Sequence, residues 1–118
     1  MGDDGGENEL FELFSDRRTI RILHETDRTP RSVQELADVC DVSGPTLYRH
    51  IDTLLEHDLL QQETRIDTQG NHYMVYENNI GRATIEIFPD TGEIDVDLAY
   101  RDSVEQFKHL WKEMRHDS

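Results

Sequence analysis

The sequence predicts an α+β domain, with helical periodicity in the first half, two β-hairpin patterns in most of the second, and a helical stripe again at the C-terminus. Three observations carry this. Val33, Leu36, Ala37 and Cys40 follow the i, i+3, i+4, i+7 spacing of one helix face, and Ser32 with Glu35 supplies a capping-box pair just ahead of it. Beyond Leu59 the apolar period falls to two: Ile85, Ile87 and then Ile94, Val96, Leu98 alternate with polar residues around Pro89-Asp90-Thr91-Gly92. Near the end, Val104, Phe107, Trp111 and Met114 recur at steps of three and four, with Leu110 beside them. At 118 residues the chain fits one compact domain with a single core.

Taken in order, residues 1–9 read as an acidic, flexible tail, and Leu10, Phe11, Leu13 and Phe14 as a short helix. Ser15 is placed to cap the next helix, whose apolar positions include Ile20 and Leu23, and Thr29-Pro30 breaks the chain. The capped stripe from Val33 to Cys40 then leads through Asp41-Val42 to Ser43, a cap for a further helix. That helix tolerates Pro45 in its first turn and turns Leu47, Ile51, Leu54 and Leu55 inward. Residues 60–67 and 72–76 are rich in β-formers and flank the turn Thr68-Gln69-Gly70-Asn71, a first hairpin. The resulting division is 10–76 for helices plus first hairpin, 77–100 for a second hairpin packed on the domain, and 101–118 for a terminal helix.

Charge and composition limit the partners. The net charge is −14, from 26 acids against 12 bases, and the only lysines are Lys108 and Lys112. Acids spread along the whole chain with lysine nearly absent resemble proteins of salt-loving archaea, which implies a high-salt cytoplasm and salt ions at the surface. Residues 17–82 are the least acidic part and hold Arg17, Arg18, Arg21, Arg28, Arg31, Arg49 and Arg65, so any phosphate contact is expected there. No apolar run approaches the roughly 18–20 residues of a membrane span, and the Gly-rich acidic start is no signal peptide, so a soluble cytoplasmic protein is expected. A single cysteine excludes a disulfide framework and a multi-cysteine zinc site within one chain. Six scattered histidines form no HxxH or HExxH pattern, and there is no P-loop, GxGxxG or GxSxG. We therefore expect no metal, no cofactor and no catalysis.

Helix, helix, turn, helix, hairpin is the order of a winged helix-turn-helix, and particular residues add a family resemblance. The run from Phe14 to Leu23, then Ser32-Val33-Gln34-Glu35-Leu36-Ala37, Val42-Ser43 and Thr46-Leu47-Tyr48-Arg49-His50-Ile51 with Leu54, resembles ArsR-type regulators over about half the chain. Asp41 and Asp58 stand where that family often has Gly; Asp tolerates left-handed backbone, so the pattern holds. The resemblance implies a regulator that binds double-stranded DNA as a homodimer on a partly palindromic site. At 100° per residue, Pro45, Thr46, Arg49 and Thr53 turn outward on the recognition helix, with Tyr48 and His50 on its flanks. Ser43 and Gly44 offer backbone N–H groups at its start, and Arg31, Arg65, Gln69, Asn71 and His72 are further candidate DNA contacts. The metal-sensing members often carry a two-cysteine box near Cys40; with one cysteine here, Cys40 reads as a small core residue, with a redox-sensing role as the alternative. Val104, Phe107, Leu110, Trp111 and Met114, with Leu10, Phe11 and Phe14, form the expected dimer surface. A winged helix that binds protein instead of DNA is the rival reading; arginines gathered on the recognition face favour DNA, and dispersed ones favour a protein partner.

Overall fold

The computed structural model describes residues 2–101 as eight elements in sequence order. Helices α1 (Gly2–Ser15), α2 (Arg17–Glu25), α3 (Val33–Cys40) and α4 (Gly44–Glu56) precede strands β1 (Leu60–Ile66), β2 (His72–Asn78), β3 (Ile80–Phe88) and β4 (Glu93–Tyr100). Strands β1 and β2 form one antiparallel ribbon, β3 and β4 another. The architecture is an α+β winged helix-turn-helix with an added hairpin. None of these helices is long and apolar enough to cross a membrane. The terminal stripe Val104, Phe107, Leu110, Trp111 and Met114 lies outside the described residues.

The helix ends follow local chemistry. Asp16, not Ser15, caps α2: its carboxylate accepts the Arg18 backbone N–H at 2.9 Å, while the Ser15 hydroxyl donates back to the Phe11 carbonyl at 2.8 Å inside α1. The capping box of α3 is complete, with the Glu35 N–H bonded to Ser32 Oγ at 3.2 Å and the Ser32 N–H to Glu35 Oε1 at 3.0 Å. Asp41 ends α3 in left-handed backbone at φ 53°, and Asp58 joins α4 to β1 at φ 59°. Both are positions where the sequence has Asp in place of Gly. Arg28, just past α2, takes φ 61°, which no sequence signal indicated.

The segment read as a flexible tail is the first part of α1. Leu10, Leu13 and Phe14 pack against the core, so the C-terminal turns of the helix are anchored and the rest propagates from them. The same packing places Leu10 and Phe14 against their own domain, which reduces what they offer to a partner.

Ile22, Leu36, Leu47, Ile51, Leu54 and Leu59 are at most 1% exposed and form the centre of the core. Each such side chain contributes about 1.5–3 kcal/mol by burial. The wing is joined to this core at one end only: Leu60, Val75, Tyr76 and Asn78 are buried, while β1 beyond Leu60 is exposed. Arg31 extends the wing sheet by a bridge, exchanging backbone bonds with Tyr76 at 3.0 and 2.8 Å.

Strand β2 runs on to Asn78, so the second hairpin starts at Ile80, slightly later than the sequence division at residue 77. Its register pairs Ile85 with Val96 and Ile87 with Ile94, which puts Ala83, Ile85, Ile87, Ile94, Val96 and Leu98 on one face. Packing falls off along that face: Ile80 is buried and Ala83, Leu98 and Tyr100 touch the core, Ile94 and Val96 are half-buried, and Ile85 is 37% and Ile87 60% exposed. The hairpin is thus seated on the domain at its base, with the β3 side of its distal half the more open.

Candidate nucleic-acid interface

Helix α4 is two-sided. Leu47, Ile51 and Leu54 are fully buried, and Pro45, Thr46, Tyr48, Arg49, Asp52 and Glu56 are exposed. Arg49 has no ion-pair partner among the described residues, so its guanidinium is available to a base edge or a phosphate. Tyr48 is 53% exposed, a large apolar surface to leave in water at this position. Ser43 is the N-cap by position, but its hydroxyl donates to Thr46 Oγ1 at 3.0 Å and caps no backbone group. With Pro45 at the helix start lacking an N–H, the free donors of this first turn include Gly44 and Thr46. Gly44 has nothing within 4 Å of where a Cβ would sit, so its value is local conformation and open approach. Thr53 is half-buried and donates to the Arg49 carbonyl at 3.0 Å, a bond within the helix that makes it a weaker contact candidate than Thr46.

Asp52 was passed over in the sequence reading. It is exposed on α4, and its charge acts on Tyr76, whose phenol pKa is raised by burial first and then by Tyr48 and Asp52. A carboxylate in this place accepts from a cytosine amino group and repels phosphate. The helical wheel alone would have shown it.

Two sequence candidates are turned into the protein. His50 is half-buried, and its Nε2 lies 2.7 Å from the hydroxyl of the fully buried Thr19, which ties the recognition helix to α2. Arg31 donates through Nε to the Glu25 carbonyl at 2.6 Å and pairs with the Glu25 carboxylate at 3.6 Å. Both residues therefore position other elements in this structure. A cleft of about 320 Å³ behind α4 is lined by Glu9, Glu12, Asp16, His50, Thr53 and His57. Burial pushes the His50 pKa down, with Asp16 pulling it up and Arg18 adding to the depression. A lowered folded value means that the unfolded chain takes up a proton first as pH falls below the ordinary imidazole value of about 6.5. The His50 contribution is thus fully present above that pH and is lost going down. Wild-type protein is expected to lose thermal stability between about pH 7 and pH 5 more steeply than His50→Gln, compared by melting temperature at each pH. Parallel pH profiles would remove His50 as the source.

The arginines are spread and mostly paired. Arg18 pairs with Asp16 at 3.1 Å, Arg21 with Glu25 at 3.2 Å and Arg65 with Glu63 at 3.9 Å. Arg17, Arg18 and Arg21 line a groove of about 360 Å³ that also contains Cys40. In the wing, Arg65, Gln69, Asn71 and His72 are exposed. The Asp67 carboxylate accepts the Gln69 and Asn71 backbone N–H groups at 2.9 Å each, and Gly70 takes φ 84° between them. These bonds hold the Asp67 carboxyl below the usual range and fix the wing tip.

Cys40 is half-buried against the core, and burial pushes its thiol pKa up. Arg21 opposes the rise and Glu25 adds to it. A raised pKa leaves little thiolate to react. Cys40→Ser is expected to change DNA affinity by less than about two-fold, with peroxide affecting wild type and variant equally. Release of wild type alone by peroxide in a gel shift would make Cys40 a sensor. Elsewhere, Glu86, Asp95 and Asp97 bring carboxylate oxygens within 4.8 Å of one another on the polar face of the second hairpin. They are a surface acidic cluster remote in sequence from the helix-turn-helix.

Residues 14–63 match a family model described as a helix-turn-helix domain. The match runs from the end of α1 through α4 into β1, so it covers the helix-turn-helix and the start of the wing and stops short of β2 and the second hairpin. Fold and match together define a helix-turn-helix domain of the kind used by transcription regulators. No curated protein matches the chain.

Proposed function

We propose that this chain is a sequence-specific DNA-binding transcription regulator of ArsR-like type. In this reading it is a homodimer, has no catalytic activity, and acts on a partly palindromic promoter site in a high-salt cytoplasm. One observation carries the reading: α4 buries Leu47, Ile51 and Leu54 and leaves Thr46, Tyr48 and Arg49, which has no ion-pair partner among the described residues, on its open side. A helix built this way enters a major groove, and a wing with a fixed tip lies along the neighbouring backbone. The acid excess supports the high-salt setting, because at molar salt the Debye length is about 3 Å and only touching contacts count. Winged helices that read two half-sites about one DNA turn apart do so as dimers, which supports the homodimer.

Arg49→Ala is expected to weaken operator binding by about 1–3 kcal/mol and to relax base preference at one position per half-site. Fragments enriched by chromatin immunoprecipitation from the host, titrated in molar KCl by fluorescence anisotropy, supply the measurement. The internal pairing of Arg18, Arg21, Arg31 and Arg65 favours a second reading, a protein-binding winged helix. Absence of enriched fragments would favour that second reading over the first, whereas Arg49→Ala binding like wild type would remove Arg49 from the DNA contact surface.

A further inference from the structure

The open side of α4 changes sign along its length. At 100° per residue, the buried Leu47, Ile51 and Leu54 share one direction, and the exposed Arg49, Asp52 and Glu56 gather about the direction opposite to it. Asp52 stands as near the middle of the open side as Arg49 does, about 60° around the helix from it. The two are three residues apart, a spacing at which opposite charges meet on a helix surface. Here they do not meet: neither side chain has an ion-pair or hydrogen-bond partner among the described residues. An acid and a base thus lie side by side at the centre of the candidate DNA face with their bonding capacity unused. Asp52 is on the flank nearer the wing, where its charge reaches the Tyr76 phenol of β2.

We infer that Asp52 is a specificity-determining residue that accepts the N4 amino group of a cytosine, in the base pair next to the one whose guanine Arg49 reads. This assignment rests on the DNA-binding reading above and fixes what that reading leaves open, the bases of the half-site. An ionised carboxylate only accepts hydrogen bonds, and the donors in the major groove are the amino groups of cytosine and adenine. The adenine amino group is flanked by acceptors on both sides, its own N7 and the thymine O4, each of which repels a carboxylate. The cytosine amino group has an acceptor on one side only, the O6 of its guanine, so cytosine is the base that suits Asp52. Arg49 has the opposite need, donors without an acceptor, and guanine answers it with O6 and N7. Three residues of helix rise about 4.5 Å and base pairs follow one another at about 3.4 Å, so the two side chains fall on neighbouring pairs. High salt makes an acid tolerable here. With a Debye length of about 3 Å at molar salt, repulsion from the flanking phosphates is screened while a contact at touching distance persists. Asp52 then adds discrimination between bases at little cost in attraction to the duplex.

The test selects binding sites for the intact chain from a random double-stranded library in molar KCl, then titrates single-base variants of the enriched site by fluorescence anisotropy. Wild type is expected to enrich a half-site with two adjacent G·C pairs. Asp52→Ala is expected to lose the preference for cytosine at one of these pairs by about ten-fold or more and to keep the preference at the other, which Arg49→Ala loses instead. Asp52→Asn supplies a change of preference, because a carboxamide both donates and accepts and pairs with adenine N6 and N7. Its ratio of cytosine to adenine affinity at that pair is expected to shift by about ten-fold or more towards adenine. Asp52 is exposed, and melting temperatures equal to that of wild type verify that both variants are folded. A wild type that enriches no sequence refutes the DNA-binding reading and this assignment together. A wild type with an enriched site that Asp52→Ala binds with the same base preference at every position refutes the assignment alone.

Discussion

Asn78→Ala is expected to destabilise the fold by about 2–5 kcal/mol, because the Asn78 side chain satisfies three polar groups at the junction of wing and second hairpin. Asn78 is 5% exposed. Its amide nitrogen donates to Asp27 Oδ1 at 3.0 Å and to the Ile80 carbonyl at 2.6 Å, and its oxygen accepts the Ile80 N–H at 3.1 Å. Ile80 is itself 7% exposed, so removing the amide leaves a buried backbone donor and acceptor without partners, at about 1–3 kcal/mol each. Against a total of about 5–15 kcal/mol for a domain, that is a large fraction. The Asn78 backbone N–H also bonds to the Thr26 carbonyl at 3.0 Å, and Ala keeps that bond, which sets an upper limit on the loss. Asn78→Asp is expected to be at least as damaging, since it loses both donors and faces Asp27. Urea unfolding of both variants is the measurement. A loss under about 1 kcal/mol for Asn78→Ala would mean that solvent reaches Ile80 and that the junction is looser than the bond pattern indicates.

Asn78 also shows what the sequence leaves unwritten. Apolar period, caps and turns are local signals, and they located α3, α4 and both hairpins because each repeats over several residues. Left-handed Asp41 and Asp58 were legible through the family resemblance, because ArsR-type regulators often have Gly at those two places and Asp tolerates the same backbone. Asn78 has no such repeat: a buried Asn reads like any polar residue near a loop, and its role appears only when Thr26, Asp27 and Ile80 are brought around it. The same applies to His50 and Arg31. Both are polar residues in the helix-turn-helix region and were read as DNA contacts; their actual neighbours, Thr19 and Glu25, come from α2, and a helical wheel cannot show which flank a neighbouring helix covers. The helical start of the chain was hidden for a different reason. Its glycines and acids argue for disorder locally, whereas Leu10, Leu13 and Phe14 at its other end anchor it through tertiary contacts.

Ile51→Ala tests the seating of α4 apart from its contact chemistry. Ile51 is 0% exposed between Leu47 and Leu54, and deletion of a buried Ile to Ala costs about 2–5 kcal/mol, part of it from the cavity left behind. The expected result is a large fall in melting temperature, with Ile51→Val losing only about 0.5–1.5 kcal/mol. Arg49 lies on the opposite side of the same helix and is exposed, so Arg49→Ala is expected to leave the melting temperature within about 1 °C of wild type, as for most surface substitutions. The two variants therefore separate the two sides of one helix: Ile51→Ala moves stability, and Arg49→Ala moves affinity for DNA at constant stability. Below its transition, Ile51→Ala retains Arg49 and Thr46 on the open side and is expected to bind more weakly only to the extent that α4 shifts into the cavity. If Arg49→Ala lowers the melting temperature as much as Ile51→Ala does, Arg49 is holding the fold together, and its assignment to the DNA face is wrong.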